Sequence, residues 1–223
     1  EEANRPMWVN IWYQKSFQVG VILVALLLLT IILFFQDNFA RHPNFLRWLR
    51  HGYLTFTVVF IGWYALGQLS IVNVLTFVHA LVTEFRWELF LSDPVIFILW
   101  TFTAASILLW GRGVFCGWLC PFGALQELIN EIARKLRIPQ YELPFVVHER
   151  LWAIKYIILL VLFGISLESM MLAEKAAEVE PFKTAIMLKF DRQWWFVLYA
   201  VILLVVNIFT RKVFCRYMCP LGA

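Results

Sequence analysis

Residues Trp195–Ala223 read WFVLYAVILLVVNIFTRKVFCRYMCPLGA. An unbroken oily run gives way at Arg211 and Lys212 to two cysteines four positions apart, closed by Pro220. The same sequence of events occurs earlier, where the apolar run before Trp110 ends in GRGVFCGWLCPFGA, Gly111–Ala124. A shift of 99 residues superposes Arg112 on Arg211, Phe115 on Phe214, Cys116 on Cys215, Cys120 on Cys219, Pro121 on Pro220 and Gly123 on Gly222. The chain's 4 cysteines all belong to this internal repeat.

An apolar run that ends in a basic doublet is how a helix leaves a bilayer, and the composition supports that reading throughout. Of 223 residues, 62% are hydrophobic and only 15% charged, whereas a soluble domain carries about 25% charge. This excludes a water-soluble globule with a polar skin. Spans of about 20 apolar residues fall near 17–36, 52–70, 95–110, 151–168 and 193–210. Strand-type alternation is absent, so the fold class is an all-α integral membrane protein: a bundle of about five transmembrane helices. The spans contain almost no charge; Lys155, near one end of its span, is the exception, and a long lysine can snorkel toward the interface. In the stretch 71–90, Asn73, Thr76, His79 and Thr83 recur at helical spacing. The polar stripe they make predicts a helix lying in the interface rather than a sixth span.

With five spans, segments 37–51, 111–150 and 211–223 share one side and hold eleven basic residues; the other side holds seven, interleaved with acids. The positive-inside bias places the first group in the cytoplasm. The two cysteine motifs are therefore expected at the cytoplasmic face, and the N-terminus in the periplasm of a bacterial inner membrane. The net charge of +4 is read as a basic rim against anionic lipid, not as a nucleic-acid surface. Residues 1–16 read as an extracytoplasmic lead-in, and 17–223 as a transmembrane redox domain with CxxxCP repeats at 116–121 and 215–220. The chain lacks an initiator Met, and its last residue falls inside a motif. The expectation is the membrane part of a longer polypeptide.

In Cys-x-x-x-Cys-Pro, residues i and i+4 share a helical face, and the proline ends the helix. Two such ends can bring Cys116, Cys120, Cys215 and Cys219 together as four sulfurs, a donor set that suits a single iron, a small iron-sulfur cluster or zinc. Arg112, Arg211, Lys212 and Arg216 are expected to surround it, favouring thiolate over thiol. The iron reading makes the chain an electron-transfer component of a membrane oxidoreductase. Three others stay open: a non-redox scaffold with a structural zinc site, a quinone-linked thiol oxidoreductase, and cysteines that are simply small buried hydrophobes.

The paired motifs FCGWLCPFGALQE and FCRYMCPLGA resemble the polyferredoxin-type membrane electron-transfer family that includes NapH and NosR. The phrases GWYALGQLSIVNVLTFVHAL (Gly62–Leu81) and FRWELFLSDPVIFILW (Phe85–Trp100) resemble its NosR-type branch, the membrane iron-sulfur flavoproteins of nitrous oxide respiration. The resemblance implies a periplasmic FMN domain ahead of this region and a cytoplasmic ferredoxin-like domain with 4Fe-4S clusters behind it. It also implies support for nitrous oxide reductase, through electron supply or through its assembly factors. FMN and the 4Fe-4S clusters would belong to those flanking domains. His79, Glu84, Gln68 and Trp63 are candidates for a quinol or flavin contact at the outer face; a satisfied interfacial histidine is the plainer reading of His79.

Overall fold

The computed structural model describes residues 7–36, 41–82, 87–110, 114–141 and 144–222. Helices and their connections make up these residues, with no strand among them. Helices α1 (Met7–Gln14) and α2 (Ser16–Phe34) are followed by α3 (Pro43–Phe56), α4 (Ile71–Val82), α5 (Trp87–Leu91) and α6 (Pro94–Trp110). Then come α7 (Pro121–Lys135), α8 (Phe145–Trp152), α9 (Ile154–Glu168), α10 (Met170–Ala176), α11 (Trp194–Phe209) and α12 (Val213–Tyr217). Two helical stretches, Ser16–Phe34 and Phe145–Glu168, are long and apolar enough to cross a membrane; Ile71–Ala80, Pro94–Trp110 and Trp194–Phe209 are apolar but shorter. Large apolar side chains face outward along them, among them Leu27, Leu28, Leu108, Leu160, Val201 and Ile202. So much exposed apolar surface suits lipid and not water.

Both shorter helices that lead into the repeats, α6 with 17 residues and α11 with 16, rise only about 25 Å at 1.5 Å per residue. That falls short of a hydrocarbon core of about 30 Å. In each copy the motif itself is core. Phe115, Leu119, Cys120, Phe122, Phe214 and Cys219 are buried in one cluster with Ile22, Leu29, Ile61 and Leu99.

The span expected at 52–70 is the end of a longer helix that begins at Pro43, a proline at the first helical position where its missing N–H costs nothing. From Thr57 to Tyr64 this helix widens into a π-helix. It ends at Leu66, whose φ of 52° is left-handed, and the Gly67 N–H donates back to the Ile61 carbonyl at 2.7 Å. The widened turn carries Gly62 against the first motif, where a Cβ would stand 2.9 Å from Cβ of Pro121. Both atoms sit on rigid backbone. Gly62→Ala is therefore expected to lower stability by about 1–3 kcal/mol in reversible unfolding from mixed micelles. Gly52→Ala, which meets nothing within 4 Å, should change it by less than about 1 kcal/mol.

Helix α4 carries the predicted polar stripe as far as His79; Thr83 lies outside the described residues. Its apolar face, Ile71 and Leu75, packs on Leu162 of α9 and on Ala173 and Ala177, while Asn73 and Thr76 face a cleft. Lys155 does not snorkel. It is 7% exposed, and its ammonium donates to the Gly222 carbonyl at 2.9 Å while lying over the rings of Trp152 and Tyr156. The second motif, folded back into the bundle, supplies a carbonyl closer than any interface.

Candidate functional site

The two motifs fold alike. In each, the N–H of the second cysteine reaches five residues back to a phenylalanine carbonyl: Cys120 to Phe115 at 2.8 Å and Cys219 to Phe214 at 2.9 Å. This is the wide π-type turn, which recurs at functional sites. The glycine two residues after each proline lies over the carbonyl of the first cysteine, so that a Cβ would stand 3.2 Å from Cys116 O at Gly123 and 3.5 Å from Cys215 O at Gly222. A side chain at Gly123 would crowd the backbone of the turn, whereas at Gly222 it would only come into ordinary contact. Beyond the prolines the two copies diverge. Pro121 starts the 15-residue helix α7, with the Cys120 sulfur accepting from the Gly123 N–H at 3.4 Å as an N-cap. Pro220 opens a single 3-10 turn.

Cys120 and Cys219 are buried, Cys116 and Cys215 half-buried, and all four are free thiols. Burial pushes every one of them up, Cys116 to about 11, and charge on neighbouring thiols pushes in the same direction at Cys116, Cys215 and Cys219. Lys212 opposes this at Cys116, Cys120 and Cys215 without overcoming it. The expected thiolates are thus thiols, because desolvation in an apolar core outweighs Lys212 and, at Cys116, Lys155 as well.

The expected iron centre on Cys116, Cys120, Cys215 and Cys219 is corrected by the same geometry. Among the described residues no group of three or more His, Cys, Asp or Glu side chains stands where it could hold a metal ion. The sulfurs sense one another electrostatically but do not converge, and this also removes the structural zinc reading. Cys120 is drawn instead to its own helix and to Gln68, whose Nε2 lies 3.6 Å from the sulfur. The motifs meet through rings: Phe122, Phe214 and Phe182 form a closed triangle with centroids 5.5–5.6 Å apart.

The expected basic surround is only partly there. Arg211 and Lys212 turn to Glu127 of α7, at 3.1 and 2.7 Å, and Arg50 of α3 joins them at 2.9 Å. Arg216 is exposed, and Arg112 lies outside the described residues. Asn207, fully buried near the end of α11, ties the second motif down. Its Oδ1 accepts from the Lys212 N–H at 2.7 Å and its carbonyl accepts from Asn130 at 3.1 Å. Sequence reading passed over Glu127, Asn130 and Asn207; a lone Asn in an otherwise apolar span was the available signal.

Of the quinol or flavin candidates, Glu84 lies outside the described residues. Trp63 donates to the Ala185 carbonyl at 3.4 Å, and His79 is exposed on α4. Gln68 is buried and lines a cleft of about 380 Å³ with Lys15, Gln18, Ser70, Asp93 and Glu180, which neither Trp63 nor His79 reaches. Glu180, unmarked by any sequence motif, accepts from Ser70 Oγ and from the Ile71 N–H.

A family model described as a 4Fe-4S binding domain matches residues 92–139 and 192–223, the two stretches that contain the motifs. Over all 223 residues the chain is 87% identical to the regulatory protein NosR of Stutzerimonas stutzeri and 77% identical to that of Pseudomonas aeruginosa. It is 48% identical to the protein NirI of Paracoccus denitrificans over 98% of its length. The chain spans only 31% of either NosR and 32% of NirI. No solved structure matches it.

Proposed function

We propose, for a chain that belongs by homology along its whole length to the NosR-type proteins, that it is the membrane electron-transfer module of such a protein. In this reading it relays electrons from a quinol or cytoplasmic donor to a periplasmic flavin domain in support of nitrous oxide reductase. It is a carrier rather than a catalyst. The partners are the bilayer, FMN-bearing and ferredoxin-like domains of the same polypeptide, and the reductase or its assembly factors. The module is read as five crossings of a bacterial inner membrane with α4 at the interface and the N-terminus periplasmic. The basic-residue bias supports that orientation.

One observation carries the reading. The cysteine turns, which topology assigns to the cytoplasmic side, are touched by segments assigned to the other side: Gln68 at Cys120 and Phe182 between Phe122 and Phe214. Contacts reaching these turns from the outer side shorten the path an electron has to cover. The cysteines enter as thiols.

The test is electron delivery to the flavin domain of the full-length protein in proteoliposomes. Cys116→Ser and Cys215→Ser should each slow it at least tenfold, and the double variant should be no slower than either, as expected of residues acting as one unit. Full activity in both single variants, or defects that multiply in the double one, would overturn the proposal.

A further inference from the structure

Two adjoining grooves lie along α3 and α7, which pack through Leu54 and Val58 against Ala124, Leu125 and Leu128. The first, about 370 Å³, is lined by the four arginines Arg47, Arg50, Arg134 and Arg211 and by the two carboxylates Glu127 and Glu131. Both carboxylates are committed: Glu127 meets Arg50, Arg211 and Lys212 at 2.7–3.1 Å, and Glu131 meets Arg134 at 2.5 Å. Arg47, exposed on α3, pairs with neither. Four guanidinium groups against two carboxylates leave this groove an excess of two positive charges. A guanidinium carries five N–H donors, so Arg134 and Arg211 keep donors to spare. Pro43, Leu46, His51 and Trp118 complete the wall. The second groove, about 360 Å³, shares Arg47, His51 and Glu131 with the first. Trp48, Leu128 and Ile132 give it an apolar side, and Lys135 adds a further cation. Trp48 is 79% exposed and Ile132 58%. An exposed tryptophan beside a basic cluster is the pattern of the headgroup region of a membrane. A basic groove that continues into an apolar one fits an amphiphile with a negative head.

We infer that these grooves bind an anionic phospholipid of the cytoplasmic leaflet. Its phosphate is received by Arg47 and by the spare N–H groups of Arg134 and Arg211, and its glycerol and first acyl carbons lie along Trp48 and Ile132. Both helices belong to segments that the basic-residue bias assigns to the cytoplasmic side. Guanidinium suits phosphate because its planar fork can give two parallel hydrogen bonds. A zwitterionic lipid brings its own cation to the same site and gains less. The groove also borders both cysteine motifs. Trp118 of the first lines it, its ring centroid 5.4 Å from the Arg50 guanidinium, and Arg211 leads into the second. The lipid thus stands at the joint that Glu127 makes between the motifs.

Full-length protein in maltoside micelles is titrated with phosphatidylglycerol and with phosphatidylcholine of the same chains, and bound lipid is read by native mass spectrometry. Phosphatidylglycerol should bind at least about tenfold more tightly, as two uncompensated cations imply. Arg47→Gln should weaken it about fivefold, the share of one cation near an anionic head group. Lys175→Gln, the same loss of charge at an exposed residue of α10 assigned to the other side, should leave it unchanged. Trp48→Ala, which strips the apolar side, should weaken both lipids. Equal affinity for the two lipids, equal losses in Arg47→Gln and Lys175→Gln, or displacement of phosphatidylglycerol by an equal concentration of inorganic phosphate would overturn the inference. So would a photo-cross-link from p-benzoylphenylalanine in place of Leu46 to an acidic segment of the protein's own chain instead of to lipid.

Discussion

Replacing Glu127 with alanine is expected to destabilise the protein by about 3 kcal/mol. The carboxylate is nearly buried, with a side-chain exposure of 9%, and it neutralises Arg50 of α3, Arg211 and Lys212 at once. Burial alone would push the Glu127 carboxyl up, yet the hydrogen bonds and charges of Lys212 and Arg50 hold it below the usual carboxylate range. The alanine variant leaves Lys212, which is 20% exposed, and the partly covered Arg50 without a counter-charge. Arg211 is half exposed, and its share is small. Unfolding in mixed micelles measures the loss. A second substitution, Lys212→Met, should recover part of it, giving a coupling energy of at least about 1 kcal/mol in the double-mutant cycle. A loss below about 1 kcal/mol for Glu127→Ala would show that the cluster is only a solvated surface network.

The second large effect is a dependence on pH. Burial raises the Glu180 carboxyl to about 7, although Ser70 and the Ile71 N–H act to lower it. The folded protein therefore holds a proton on Glu180 that the unfolded chain gives up near its ordinary value of 4.5. Stability is complete below 4.5, falls as pH rises from there to 7, and is lower by up to about 3 kcal/mol beyond it. Glu127 and Glu178, both held below the ordinary carboxylate value by their cationic partners, change charge at lower pH and leave this window to Glu180. Unfolding curves between about pH 5 and pH 8 should show the decline, and Glu180→Gln should flatten it. A wild-type protein equally stable at both ends would rule the account out.

Much of the molecule is legible in the sequence alone. Composition and the oily runs determine an all-helical membrane protein, since those are intrinsic properties of each segment and need no knowledge of its neighbours. The repeat is legible too, and with it the likeness of the two π-type turns, because Cys-x-x-x-Cys-Pro-x-Gly constrains its own backbone: the proline stops the helix and the glycine allows close approach over a carbonyl. Pro43, the start of a helix longer than the apolar run suggests, is a local signal of the same kind.

Whether four sulfurs converge is not a local property. Spacing put Cys116 with Cys120, and Cys215 with Cys219, but the distance between the pairs depends on what packs there. The tertiary structure placed the Phe122, Phe182 and Phe214 rings between the motifs and excluded a metal site among the described residues. Charge was decided the same way. Lys212 and Arg211 sit next to the second motif in sequence, yet Glu127, 84 residues from Arg211, claims them. Burial then leaves the thiols protonated. Lys155, Gln68 and Glu180 likewise acquired their roles only when distant segments folded back into the bundle, because a buried polar group is defined by its partners, and those partners lie far along the chain.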